Sequence, residues 1–215
     1  MIIAVASGKG GTGKTTVMLG LLRALAEDGG TSYDINQAVR YAAGLPNDSG
    51  TTPSQAATVI NMSLGGPSPS QIDQDLFNQL RDRGVIVVAA AGNESSTRPS
   101  YPAAYDGVFS VSAVDAQGRI TRYSNRGSSI DLAAPGGDGS NDFTGDGYPD
   151  GVLSTGASPS GFAYTFLSGT SMAAPLVAGV AALIKERVPD IDVEALRQVI
   201  LDRSDRLPNL VPVIS

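Results

Sequence analysis

Short apolar runs, each followed by a turn and a segment of helical period, leave this chain few folds to choose from. Residues 2–6, 57–64, 85–91 and 108–114 are largely apolar without alternation and too short for helices, and a briefer run spans 130–133. A strand that is apolar on both sides must be covered on both sides. That is the condition of a parallel sheet between two layers of helix. The intervening segments supply the helices. Lys14–Glu27 carries Val17, Leu21, Leu22 and Leu25 at helical spacing, and a helix capped by Thr31 or Ser32 carries Ile35, Val39 and Ala42 before stopping at Gly44. Further helices are expected at 71–83, 171–188 and 193–203, and a hairpin from Val152–Ser154 with Phe162–Leu167. The fold class is α/β, three-layered, with a mainly parallel sheet. One irregularity stands in this layout: the helices at 14–27 and 32–43 follow each other with no strand between them.

Composition narrows the chemistry. The 215 residues are 41% hydrophobic and 17% charged, enough for a folded core, and the net charge of −6 offers no basic surplus for nucleic acid. The chain has no cysteine, so disulfides, thiolate catalysis and zinc–sulfur sites are excluded. It has no histidine either, which removes every imidazole base from within these residues. The apolar stretch near 173–184 is too short to span a bilayer. The opening apolar run is too short for a signal-peptide core, so a cytoplasmic chain without membrane attachment is expected as written. Oligomeric state is left open.

The first chemical motif is Gly8–Thr15, which matches GxxxxGK[ST] after a strand and before an expected helix. Lys9, Gly10, Gly11, Thr12 and Gly13 would turn backbone N–H groups toward a phosphate. Lys14 would reach the terminal phosphates, Thr15 would ligate Mg²⁺, and Thr16 would begin the helix. ATP with Mg²⁺ is the ligand this implies. The stretch from Met1 to Thr16 resembles the deviant Walker-A ATPases of the septum-site and chromosome-partition family, over about the first 28 residues. That resemblance implies an acidic metal ligand after a later strand, for which Asp115 is the candidate.

The second motif is Gly169-Thr170-Ser171-Met172-Ala173-Ala174-Pro175, which puts a serine at the start of a helix rich in small residues. There its hydroxyl is exposed beside N-terminal backbone donors. Taken alone, the same serine reads first as the cap of a buried, alanine-rich helix. Five further segments stand in order before it: Asn61–Gly66, Ala89–Asn93, Tyr101–Ala103, Tyr123–Gly127 and Leu132–Gly136. Together with the serine motif, residues 29–208 resemble the later two-thirds of a subtilisin-like serine protease.

The resemblance implies that Ser171 is the nucleophile and Asn93 the oxyanion donor. It further implies that Ser63, Leu64 and Gly65 form a substrate-pairing edge, and that Ala90, Ala91 and Gly92 line the first specificity pocket. A peptide is the implied substrate, and the implied parent is secreted. Two departures stand out. The family's aspartate- and histidine-bearing segments are missing, and Leu176 stands where the family usually has a histidine. Without a base, oxyanion binding alone leaves on the order of 10³–10⁴-fold acceleration over water, as in triad knockouts. A serine–lysine pair with Lys9 or Lys14 is not expected, because an anion-binding loop keeps both amines protonated.

A third pattern, Asp142, Thr144, Asp146, Tyr148 and Asp150 with Gly147, spaces oxygen ligands as a calcium loop does, although Leu153 replaces the final glutamate. Ca²⁺ and a solvated Asp/Gly turn are both compatible with it. The expectation assembled from these parts is a composite chain: a P-loop β–α unit over residues 1–28, joined to a subtilisin-like body over 29–215. Three functions follow: an impaired serine endopeptidase, a nucleotide-binding module, or an inert scaffold.

Overall fold

Every residue of the three central strands is buried, and the two helical layers follow from that. A computed structural model of the chain describes residues 3–6, 15–17, 31–158 and 161–205. In chain order the elements are β1 (Ile3–Ala6), β2 (Thr15–Val17), α1 (Ser32–Ala42), β3 (Val59–Met62), α2 (Gln71–Asp82), β4 (Ile86–Ala90), β5 (Val108–Val114), β6 (Leu132–Pro135), β7 (Val152–Ser158), β8 (Gly161–Leu167), α3 (Thr170–Arg187) and α4 (Val193–Arg203). The main sheet runs β2-β1-β3-β4-β5-β6, with β3 to β6 parallel throughout.

Alternate residues of the same strands feed two separate cores. Ile60, Met62, Val87, Ala89 and Val108 pack under α1 and α2, against Val39, Leu76, Phe77 and Leu80. Val59, Ile86, Val88, Phe109, Val111 and Ala113 pack under α3 and α4, against Ala173, Ala174, Val177, Ala181 and Leu196. The α/β class expected from the apolar runs is thus the observed one.

Local signals place the helix ends. Thr31 caps α1 in a reciprocal box with Asp34, Ser70 caps α2 and Asp192 caps α4. Gly44, with φ 67°, follows the end of α1. The hairpin is longer than expected: β7 and β8 pair from Val152↔Leu167 to Ser158↔Gly161.

The amino-terminal expectation needs correction. Thr15, Thr16 and Val17 are not the first turn of a helix but a strand, paired antiparallel with β1 from Ala4↔Val17 to Ala6↔Thr15. The rest of the expected helix, and Lys9 to Lys14, lie outside the described residues. β1 docks beside β3, antiparallel to it, from Ile3↔Met62 to Ala6↔Val59.

Candidate active site

The carboxyl ends of parallel strands are where an open α/β sheet leaves a crevice, because the chain turns away there toward opposite faces. Three connections meet at that edge: Ser63–Gly66 after β3, Ala91–Asn93 after β4, and Gly136 after β6. Gly169, which accepts no side chain without strain at φ 153°, donates its N–H to Gly136 O at 2.9 Å and starts α3. Gly136 allows that approach, since a Cβ there would stand 2.4 Å from Ala113 Cβ and 2.8 Å from Gly169 O.

Thr170 ties β4 to α3. Fully buried, it receives the Gly92 N–H at 3.2 Å on its hydroxyl and donates that hydroxyl to Asn93 Oδ1 at 3.0 Å. Its backbone N–H also bonds Asn93 Oδ1, at 2.9 Å. A backbone N–H can only donate, so the Asn93 atom facing it is the carbonyl oxygen. The amide nitrogen is turned the other way and has no partner among the described residues. Ser171 follows Thr170 as the second residue of α3, half-buried, with neither its hydroxyl nor its N–H bonded to any described residue. Two unpaired donors, Asn93 Nδ2 and the Ser171 N–H, therefore stand at the positive end of an 18-residue helix.

Pro175 adds a second tether. Four residues beyond Ser171, it has no N–H to bond the Ser171 carbonyl, and that carbonyl accepts the Ser63 hydroxyl at 2.9 Å instead. Asn61 Nδ2 donates to Ser63 Oγ at 3.0 Å, which aims the hydroxyl. Ser63 thus acts on Ser171 through its side chain, a role distinct from the substrate edge expected of Ser63, Leu64 and Gly65. Leu64 and Gly65 remain more open beside it.

Asn125 shapes the loop that carries Asn93. Its amide nitrogen donates to Ala91 O and Glu94 Oε2, and its oxygen accepts from the N–H groups of Glu94 and Ser96, all within 3.1 Å. Gly92, at φ 106°, leaves room for it: a Cβ there would lie 2.4 Å from Asn125 Nδ2. Thr170, Pro175 and Asn125 were not singled out from sequence, although each lies inside a quoted motif. Of the residues expected to line the first specificity pocket, Ala90 and Ala91 are buried and Gly92 is partly open.

The acids behind the two metal expectations are bonded within their own turns. Asp115 follows β5 and serves its own turn, accepting from the N–H groups of Gln117 and Arg119 and pairing with the Arg119 guanidinium at 2.8 Å. Burial pushes its carboxyl up, yet those hydrogen bonds and the guanidinium outweigh it and hold the group below its ordinary 3.8. In the proposed calcium loop, Asp142 spends its oxygens on the N–H groups of Gly145, Asp146 and Gly147, and Asp146 accepts from Tyr148 N–H. Asp150 accepts from Phe143 N–H and the Thr144 hydroxyl. Among the described residues no three acidic groups are gathered to hold a metal ion.

The structure thus sets Ser171 at a helix N-terminus, beside the Asn93 amide, at the carboxyl edge of a parallel sheet. The subtilase family model matches residues 2–212, and the chain belongs to that family. A thermophilic serine proteinase of Bacillus sp. (strain AK1) is 37% identical over 203 residues, covering 94% of this chain and 43% of that protein. The halolysin of Haloferax mediterranei is 41% identical over 177 residues, covering 82% of this chain and 29% of its own. A halolysin-like extracellular serine protease of Natrialba magadii is 36% identical over 181 residues, or 84% of this chain and 29% of that one. A solved structure of proteases from Pseudoalteromonas arctica PAMC 21717 superposes with a TM-score of 0.76 at 40% identity, covering 83% of this chain and 53% of that one. The chain spans less than half the length of these curated relatives. Since the match starts at residue 2 and the Bacillus alignment takes in 94% of the chain, no seam at residues 28–30 is supported.

Proposed function

We propose that this chain is the nucleophile-bearing part of a subtilisin-like serine endopeptidase acting on peptides. Ser171 attacks the scissile carbonyl, and Asn93 Nδ2 with the Ser171 N–H receives the developing oxyanion. The observation that carries this reading is the clamp on Asn93. With its oxygen held by the Thr170 N–H and hydroxyl, the amide nitrogen is oriented before substrate arrives. The sequence holds no histidine, so the chain alone has no imidazole to take the Ser171 proton, and its own turnover is slow. Its place of action, taken from the relative described as extracellular, is outside the cell.

A fluorophosphonate probe tests the assignment. Slow labelling of Ser171 is expected, lost in Ser171→Ala, reduced about 10²-fold in Asn93→Ala, and accelerated by free imidazole. A folded protein whose label settles on another residue would remove Ser171 from the role. Rapid peptide hydrolysis abolished by Ser171→Ala would keep the nucleophile and overturn the impairment.

The nucleotide reading rests on the GxxxxGK[ST] match and on the resemblance of the first 28 residues to deviant Walker-A ATPases. Thr15 on a strand removes the helix N-terminus that the motif requires, so ATP with Mg²⁺ is not part of the proposal.

A further inference from the structure

An aspartate followed by glycine has room to close its side-chain carboxyl on the next backbone nitrogen, because no side chain stands in the way. The chain has five such pairs, and four lie in the described residues: Asp106-Gly107, Asp138-Gly139, Asp146-Gly147 and Asp150-Gly151. Closure asks three things of the fold. The carboxyl must lie over its own peptide bond, the backbone must be free to turn, and a group must take the amide proton.

Three of the four pairs are clamped. Gln74 holds both backbone groups of Asp106, its N–H at 3.0 Å and its carbonyl at 3.2 Å, and a Cβ on Gly107 would stand 3.2 Å from Arg81 Cδ. Gly139 donates its N–H to the Ser168 hydroxyl at 2.8 Å, while the two Asp138 oxygens are taken by the Ser140 N–H and the Asn141 amide. Asp150 is bridged to Asp138 through the main chain, and a Cβ on Gly151 would stand 3.0 Å from Phe166 Cβ.

Asp146-Gly147 differs on each count. Both residues are exposed, and among the described residues they bond only to Asp142 and Tyr148. Asp146 Oδ1 accepts the Tyr148 N–H at 2.9 Å, which folds the carboxyl back over the Asp146–Gly147 peptide. Gly147, at φ 88°, faces open space: nothing beyond its own chain neighbours lies within 4 Å of where a Cβ would be. Its N–H points to Asp142 Oδ2 at 3.0 Å, so a carboxylate already sits on the proton that closure must release.

We propose that Asp146 is a self-modification site, isomerising to isoaspartate with Asp142 as the proton acceptor. With Asp146 in its carboxylic acid form, the Gly147 nitrogen bonds to the Asp146 side-chain carbon. Asp142 takes the amide proton and returns it to the departing hydroxyl, which leaves as water. The product is a five-membered imide. Water then breaks the bond between the Gly147 nitrogen and the Asp146 main-chain carbonyl. That carbonyl becomes the free carboxylate, and the chain runs on through the former side chain, one carbon longer. One water leaves and one enters, and the charge is unchanged. The bonds from Ser63 and Asn93 that frame Ser171 do not pass through this loop, so the modification is independent of the nucleophile.

Storing the folded chain warm at mildly acidic pH and then mapping its peptides reads the modification. Isoaspartate is scored with an isoaspartyl methyltransferase, and by lost cleavage with a protease that cuts before aspartate. Among the four pairs, isoaspartate is expected at 146 roughly tenfold faster than at the others. Asp146→Glu, whose ring would need one more atom, should remove the signal there, and Asp142→Asn should slow it roughly tenfold. Both variants should melt with the parent, because the loop is exposed. Unfolding in urea should erase the ranking. A folded chain that isomerises first at 106, 138 or 150, or at none of the four, overturns the proposal. So does an unchanged rate in Asp142→Asn, or a preference for 146 that persists in the unfolded chain.

Discussion

Single residues at this site work by controlling which atom of a neighbour is left over. Asn93 has one oxygen and one nitrogen to offer, and the two donors of Thr170 decide that the nitrogen stays available. Asn125 uses both ends of its amide on backbone groups at 91, 94 and 96, and so fixes the loop without touching the nucleophile. Asp115 shows the same economy in a turn, and its carboxyl leads to a pH prediction. Its folded pKa lies below the unfolded 3.8, so its contribution to stability is fully present above about pH 4 and is lost as pH falls through the folded value. Asp115→Asn should therefore melt below the parent at neutral pH, and the gap should close as the solution is acidified below pH 4. A gap that stays constant across that range would mean the carboxylate charge contributes nothing.

At the scale of the element, α3 is a helix adapted to one end. Its buried face is alanine at 173, 174, 178 and 181, which brings the helix close to β4 and β5. Pro175 costs it one internal hydrogen bond, and Ser63 accounts for the carbonyl that this frees. Ser63→Ala should strand that carbonyl and destabilise the fold by about 1–3 kcal/mol, seen as a melting point several degrees lower. Labelling of Ser171 should slow with it. If stability and labelling are both unchanged, the Ser63 tether does not hold the nucleophile.

The elements themselves were readily legible in the sequence. The β5 and α4 boundaries agree with the apolar pattern residue for residue, because turn or cap residues bound each of them. The segment at 14–27 was misread at its start. The glycine-rich turn before it fits a helix entry and a tight strand reversal equally well, and local periodicity cannot separate the two when the deciding contact is β1, several residues upstream.

For the whole molecule, the antiparallel pair β2–β1 closes one end of an otherwise parallel sheet, in place of a phosphate-binding β–α unit. Excess Mg-ATP should accordingly leave the melting temperature unmoved. A nucleotide at about 100 times its dissociation constant would add about 2.7 kcal/mol, so a rise lost in Lys14→Ala would restore the phosphate loop. The fold class and the two-sided burial of β3 to β5 were determined by sequence alone, since each depends on residue type and near-neighbour spacing, whereas the candidacy of Ser171 and Asn93 came from the resemblance to subtilisin-like proteases. The tertiary structure decided the rest: that Thr170 orients Asn93 across 77 positions, that Ser63 reaches the Ser171 carbonyl across 108, and that the acids at 142–150 serve their own backbone. Those outcomes depend on which donor reaches which acceptor once the chain is folded. No local pattern encodes a distance between residues that meet only through the sheet.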